Sequence, residues 1–169
     1  MSTAEHKAQA PKKIQIGILT ISTTRSLAED KSGHWMAKRA RKEGHQICFH
    51  QAIPDDAGVI TTTVVHAIQD LDPPVLLLTG GTGLSRGDVT IEAVRSLFNK
   101  ELTAFGPLFA QLSYEKIDSA AIMSRATAGV IGRTAVFCLP GSLKACKLAC
   151  QYLIFPELGH IVKHVRKDL

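Results

Sequence analysis

The stretch Val75-Leu-Leu-Leu-Thr-Gly-Gly-Thr-Gly-Leu-Ser-Arg-Gly-Asp-Val-Thr90 decides how this chain folds. Pro73 and Pro74 punctuate its start, and the apolar residues Val75 to Leu78 read as a short buried strand. Gly80, Gly81 and Gly83 follow, mixed with Thr79 and Thr82, and a helical pattern begins at Val89, just after Asp88. Without side chains, glycines let backbone N–H groups approach phosphate or carboxylate oxygens, and a helix N-terminus adds the positive end of its dipole. Strand, glycine turn and helix together make a place for an anion. Arg86 offers that anion a fixed positive charge, and Asp88 a carboxylate for a metal ion or a donor on a ligand. A plain turn with Asp88 as helix cap is the competing reading. Three glycines within four residues exceed what one tight turn requires, which favours the anion site.

Two familiar phosphate motifs are excluded. No lysine follows the glycines as a Walker A loop demands, and Gly81, Gly83 and Gly87 are spaced one residue too long for a dinucleotide fingerprint.

Upstream, Ile14 to Ser22 is nearly apolar throughout, as a central parallel strand should be. Ser32 is the predicted N-cap of a helix through Trp35, Met36 and Ala40 to Glu43, closed by Gly44. A second strand, Gln46 to Ala52, leads into Ile53-Pro54-Asp55-Asp56, and Ile60, Val64, Ala67 and Ile68 then recur at helical spacing. One of Asp55 and Asp56 is expected to cap that helix. Downstream, Val89 to Phe98 reads as a short helix, and a second helical region from Glu101 is broken at Gly106-Pro107 and resumes through Leu108, Phe109 and Leu112. Gly132-Arg133 predicts a hairpin turn between Ala128–Ile131 and the strand Thr134 to Leu139. Pro140-Gly141-Ser142 then joins that strand to a helix from Leu143 to Tyr152, with Ser142 equally suited to capping and to a phosphate.

Strands alternating with helices predict an α/β fold with a mostly parallel sheet, and the hairpin adds one antiparallel strand. In such sheets a ligand lies beyond the carboxyl ends of the strands. Asp55, the loop Gly80 to Asp88 and the Pro-Gly-Ser turn each follow a strand, so all three should open onto that edge.

The 169 residues fit a single domain, 14–169, behind a loose polar tail, Met1 to Lys13. No apolar run approaches the ~20 residues of a membrane span, and no signal-peptide core opens the chain, so a cytoplasmic protein is expected. The net charge of +5 suits an anionic small ligand. Nucleic acid is disfavoured, because the few aromatics are not interleaved with the basic residues. Cys48, Cys138, Cys146 and Cys150 form no C-x-x-C pair and are expected as buried free thiols. His160 and His164, four residues apart with no clear third ligand, read as solvated tail residues in preference to a metal pair.

The T-G-G-T-G run resembles the signature of the MoaB/MogA family of molybdenum-cofactor biosynthesis proteins, and the resemblance extends along the chain. Asp30-Lys31-Ser32-Gly33 resembles the family's D-x-S-G element, Ile53-Pro54-Asp55 its I-P-D element, and Phe105-Gly106 its F-G element. Ser124-Arg125-Ala-Thr-Ala-Gly129 and Leu139-Pro140-Gly141-Ser142 resemble the MoaB branch. The resemblance implies a three-layer α/β sandwich that binds molybdopterin and adenylylates its phosphate with ATP and Mg²⁺ before metal insertion. A non-catalytic molybdopterin carrier is the alternative. It further implies Asp55 and Asp88 as catalytic residues that hold Mg²⁺. Ligand contacts are implied for Thr79, Gly80, Gly81, Thr82, Gly83, Arg86, Ser124, Arg125, Pro140, Gly141 and Ser142, and the assembly is implied to be a homo-oligomer, trimer or hexamer. Here Gly87 separates Arg86 from Asp88, Ile91 stands where the family usually has proline, and Ser22-Thr23-Thr24-Arg25 lacks the acid common after the first strand.

Overall fold

The computed structural model describes residues 11–167. Six strands, β1 (Gln15–Ile21), β2 (Gln46–Ile53), β3 (Val75–Thr79), β4 (Lys100–Glu101), β5 (Thr127–Ile131) and β6 (Thr134–Leu139), form one sheet in the order β2-β1-β3-β6-β5-β4. β2, β1, β3 and β6 are mutually parallel, and β5 runs against both its neighbours. This is the mostly parallel sheet with one reversed strand that the sequence predicts. Gly132, at φ +56°, turns the β5–β6 hairpin at the expected place.

Helices cover both faces. Ile16 and Ile18 of β1, Val75 and Leu77 of β3, and Ala135, Phe137 and Leu139 of β6 share one core with helices α1 (Lys31–Lys42), α4 (Phe105–Ile117), α5 (Leu143–Ala149) and α6 (Leu158–Val165). The alternate residues Leu19, Ile21, Leu76, Leu78, Val136 and Cys138 pack against Ile60 and Val64 of α2 (Ala57–Leu71) and Ile91 and Val94 of α3 (Thr90–Arg95). Side chains alternate between faces along a strand, so the continuous apolar runs of β1 and β3 are what a sheet buried on both sides requires. The result is a three-layer sandwich.

Several local expectations give way. Asp30, not Ser32, caps α1: its carboxylate accepts from Gly33 N at 2.9 Å, while Ser32 turns its hydroxyl to the Gly141 carbonyl at 2.9 Å. Glu101 belongs to the two-residue strand β4, so the helix after Asp88 is shortened to α3 and the next begins at Phe105. Gly106-Pro107 does not break α4, because it lies in the first turn, where proline has no intrahelical bond to lose. The helix from Leu143 stops at Ala149 and continues as a π-helical turn, Cys150–Ile154. Cys48 is exposed, not buried. The β1–β2 register slips between Ile16 and Gly17, leaving Cys48 as the extra, unpaired residue of a bulge on the edge strand. Cys138, Cys146 and Cys150 are buried and free, with burial pushing the first two thiols up to about 12 and about 11. His160 and His164 lie on α6 with Nε2 atoms 3.0 Å apart, not in a loose tail. Of the proposed N-terminal tail, residues 1–10 lie outside the described residues.

Candidate functional site

β1 leads outward to β2 on one side, and the chain then returns to β3 on the other, so the direction of winding reverses between β1 and β3. Loops diverge at such a point and leave a crevice at the carboxyl ends of the strands. Here a cleft of about 580 Å³ opens there, walled by the segments that follow β1, β2, β3 and β6 and by Met123–Arg125.

The first wall holds an aspartate. Ser22 N donates to Ile53 O at 2.9 Å, and Thr23 donates to Asp55 Oδ2 from both its N–H, at 2.8 Å, and its hydroxyl, at 2.9 Å. Asp56, next along, is the α2 cap and accepts from Val59 N at 2.8 Å. The two adjacent acids are thus divided: one serves the helix and the other faces the cleft. Ser22 Oγ accepts from Arg25 N at 3.1 Å, and this turn brings Arg25 into the cleft beside Gly141.

The glycine loop makes the floor. Gly80 N donates to Leu139 O at 3.0 Å, and its φ of +104° brings the backbone so close to Ile21 that a Cβ would collide with the Ile21 carbonyl oxygen. Gly81, at φ +62°, leaves room for two groups: a Cβ there would meet Thr90 Oγ1 and lie 2.9 Å from Asp55 Oδ1. Thr90 N donates to Gly81 O at 2.9 Å, while the fully buried Thr90 hydroxyl has no partner among the described residues. Asp88 does not cap α3. Its Oδ2 accepts from Ser85 N at 2.9 Å and Ser85 Oγ at 2.5 Å, folding the loop tip back on itself. The Ser85 hydroxyl foremost, with N–H groups of Ser85 and Gly83 and the Arg125 charge, holds the Asp88 carboxyl below its usual range against a smaller opposing effect of burial.

The far wall is built on α3 and the approach to β5. Arg125 donates to Gly83 O at 3.3 Å and pairs with Glu92 on α3. Two residues on, Thr127 joins Arg95 and Glu101 in a second polar contact with α3. Pro140-Gly141-Ser142 closes the ring. Ser142 caps α5 through Ala145 N at 3.2 Å and still lines the cleft, so both of its expected roles remain open to it.

Of the residues singled out in the sequence, Asp55, Gly80, Gly81, Thr82, Gly83, Asp88, Ser124, Arg125, Pro140, Gly141 and Ser142 line this one cleft. Thr79 does not. It is buried, and its hydroxyl donates to Pro140 O at 3.0 Å, below the floor. Arg86 is also outside, at the exposed loop tip, because the Asp88–Ser85 turn carries it away. Arg25 occupies the cationic position instead. The Ser22–Arg25 spacing of a hydroxyl-capped turn was the available signal for it. No sequence signal marks the orphaned hydroxyl of Thr90.

Among the described residues no group of three or more His, Cys, Asp or Glu side chains is placed to hold a metal. Two carboxylates facing one cleft, Asp55 with Oδ1 turned toward Gly81, nevertheless fit a hard cation such as Mg²⁺, which takes one or two protein carboxylates and completes its shell with water and substrate phosphate.

Residues 17–160 match the family model described as "Probable molybdopterin binding domain". The chain is 48% identical over 169 residues to the "Molybdenum cofactor biosynthesis protein B" of Bacillus subtilis (strain 168), covering 99% of each. It is 39% identical over 173 residues to the "Molybdopterin adenylyltransferase" of Pyrococcus furiosus, covering 99% of this chain and 100% of that one. A crystal structure of a molybdenum cofactor biosynthesis protein B superposes with a TM-score of 0.90 at 43% identity, covering 94% of this chain and 99% of that one.

Proposed function

This chain belongs to the molybdopterin-binding domain family, and we propose that it acts in molybdenum-cofactor biosynthesis by adenylylating the phosphate of molybdopterin with ATP. The observation that carries the reading is convergence. Asp55, the glycine loop, Asp88, Arg125 and the Pro-Gly-Ser turn come from distant parts of the sequence and line one cleft.

In the proposed reaction a phosphate oxygen of the pterin attacks the α-phosphorus of ATP. A new P–O–P linkage forms, the α–β bridging bond breaks, and pyrophosphate leaves with the electron pair. Both reactants are anions, so the work of the protein is charge neutralisation and alignment. Arg25 and Arg125 supply fixed positive charge at opposite sides of the floor. The positive-φ glycines keep the floor free of side chains, so backbone N–H groups and phosphate oxygens can approach. Asp88, already held ionised by Ser85, and Asp55, fixed by Thr23, would hold Mg²⁺, which supplies charge neutralisation across the reacting phosphates when bound.

The same reading places the protein in the cytoplasm as a homo-oligomer. No helix among the described residues is long and apolar enough to cross a membrane. Exposed apolar side chains gather on α4 and the 3-10 turn after it, at Tyr114, Ile117, Ile122 and Met123, where a second copy would cover them.

Purified protein with molybdopterin, ATP and Mg²⁺ tests the reading, with adenylylated pterin and pyrophosphate as the products followed. Turnover by the unsubstituted protein and a loss of at least about a hundredfold in Asp88→Asn is the expected result. Tight pterin binding without product in either protein would leave a carrier role in its place.

A further inference from the structure

Leu158 and Val162 fix one face of α6 in the core. His160 and His164 each follow one of these by two residues, roughly 200° around the helix, and so share its outward face. Four residues apart, they stand one above the other on successive turns. The rings meet edge to face with centroids 4.8 Å apart, and the two Nε2 atoms lie 3.0 Å from each other. Behind them, His160 Nδ1 lies 3.3 Å from Glu157 Oε2. His160 is half-buried and His164 exposed, and neither lines the cleft.

An ionised carboxylate can only accept, so the contact with Glu157 places the His160 proton on Nδ1 and leaves a lone pair on Nε2. Metal-bound imidazoles have this arrangement: one nitrogen faces the ion while the other donates to a carboxylate, which fixes the ring and raises its basicity. His164 Nε2 then donates to His160 Nε2. Moving that proton to His164 Nδ1 replaces the hydrogen bond with two lone pairs that can converge on one ion. The shift between ring nitrogens consumes no proton and releases none.

The separation discriminates between metals. With metal–nitrogen bonds of about 2.0–2.1 Å, nitrogens 3.0 Å apart subtend about 95° at the ion. A tetrahedral ion would hold them about 3.3 Å apart, whereas an angle of about 90° belongs to neighbouring positions of a square-planar or octahedral shell. The pair therefore suits Ni²⁺ or Cu²⁺ better than Zn²⁺, with water in the remaining positions. Hard ions such as Mg²⁺ prefer oxygen donors and are not drawn to it.

We propose that His160 and His164 form a chelate for a divalent transition-metal ion, Ni²⁺ or Cu²⁺, on the outer face of α6 and separate from the cleft. The ion bridges successive turns of a short helix whose end is tied to α2 through Arg166 and Asp72, so loading stabilises the fold through that helix.

The test is calorimetric titration of untagged protein with Ni²⁺, and separately with Zn²⁺, in excess Mg²⁺ to saturate carboxylate sites. Unsubstituted protein, His160→Gln and His164→Gln are compared, and the melting temperature of each is read with and without Ni²⁺. The expected result is about one Ni²⁺ per chain, bound more tightly than Zn²⁺, with its Kd raised about tenfold or more by either substitution. A Ni²⁺-dependent rise in melting temperature is expected in the unsubstituted protein alone. Equal Ni²⁺ affinity in all three proteins overturns the proposal. A loss in one variant only also overturns it and leaves an adventitious contact with a single imidazole. Tighter binding of Zn²⁺ than of Ni²⁺ overturns the choice of metal and the coordination angle behind it. Electron paramagnetic resonance with one equivalent of Cu²⁺ reads the site without any substitution: hyperfine coupling to two imidazole nitrogens is expected, and coupling to one or none overturns the chelate.

Discussion

Burial would raise the Asp30 carboxyl, but hydrogen bonds from His50 at 2.8 Å, from Thr20 and from Gly33 N outweigh it and hold the group at about 2. A carboxyl depressed in the folded state contributes stability above its unfolded pKa and loses that contribution as pH falls through the folded one. From the unperturbed value of 3.8 to about 2, the contribution is on the order of 2 kcal/mol, present at neutral pH and lost between about pH 4 and pH 2. Asp30→Asn is therefore expected to lower stability at neutral pH and to flatten the acid limb of a denaturation series over that window. A second residue-scale prediction concerns Glu92, which lies behind Arg125 and reaches no cleft surface. Glu92→Ala frees the guanidinium from one of its two restraints, so binding of an anionic ligand should weaken by roughly threefold to tenfold, with partial recovery in Glu92→Asp. Equal affinity in the Ala and Asp variants would dissociate Glu92 from the site. The residues legible beforehand were those carried by local motifs. Asp55 sits where a strand passes into a helix, and Asp88 closes the glycine run. Arg25, Thr23, Thr90 and Glu92 were not legible as a group, because what joins them is contact across the cleft, between segments whose proximity no local pattern encodes.

Between the elements, the loops after β3 and β6 are bound backbone to backbone. A Cβ at Gly141 would lie 3.3 Å from the Gly80 Cα, and Gly80 N and Thr79 Oγ1 both bond the chain at Leu139 and Pro140. Gly80→Ala is expected to cost about 1–3 kcal/mol in denaturant unfolding, from its left-handed φ together with the collision at Ile21. Opposite the cleft, a different junction joins three elements. Asp72, in the left-handed conformation at the end of α2, bonds Arg133 of the hairpin turn and Arg166 beyond α6, each at 2.9 Å. These pairs are partly exposed, so Asp72→Ala should lower the denaturant midpoint by only about 1 kcal/mol equivalent with an unchanged slope. The hairpin and the long helices were legible because each has its own signal: a glycine turn, or apolar residues at regular spacing. Strand β4 was not. Two residues long, it has no periodicity of its own and exists because Lys100 and Glu101 find Val130 and Gly129 across the ladder. The Asp30 cap was obscured for a related reason, since Ser32 has the chemistry of a cap but is drawn off by Gly141.

At the scale of the whole molecule, the sandwich was legible from the alternation of apolar strands with helices, because a parallel sheet buried on both faces leaves few arrangements open. The apolar run Tyr152–Phe155 offers little surface to a second copy, because Ile154 is buried and Phe155 stacks on His45, leaving only Tyr152 largely exposed. Ile122, 87% exposed, marks the larger apolar surface. Ile122→Asp is expected to reduce the proposed homo-oligomer to a smaller species in light scattering while leaving the circular dichroism unchanged, and an unaltered mass would overturn this placement of the interface.

The closure of the β3 and β6 loops on each other has a consequence for inheritance and engineering. Although separated by some sixty positions in the chain, the two loops constitute one unit of variation. A glycine loop transplanted from a relative will seat only if its Pro-Gly-Ser partner travels with it, and a change that enlarges either one must be answered in the other.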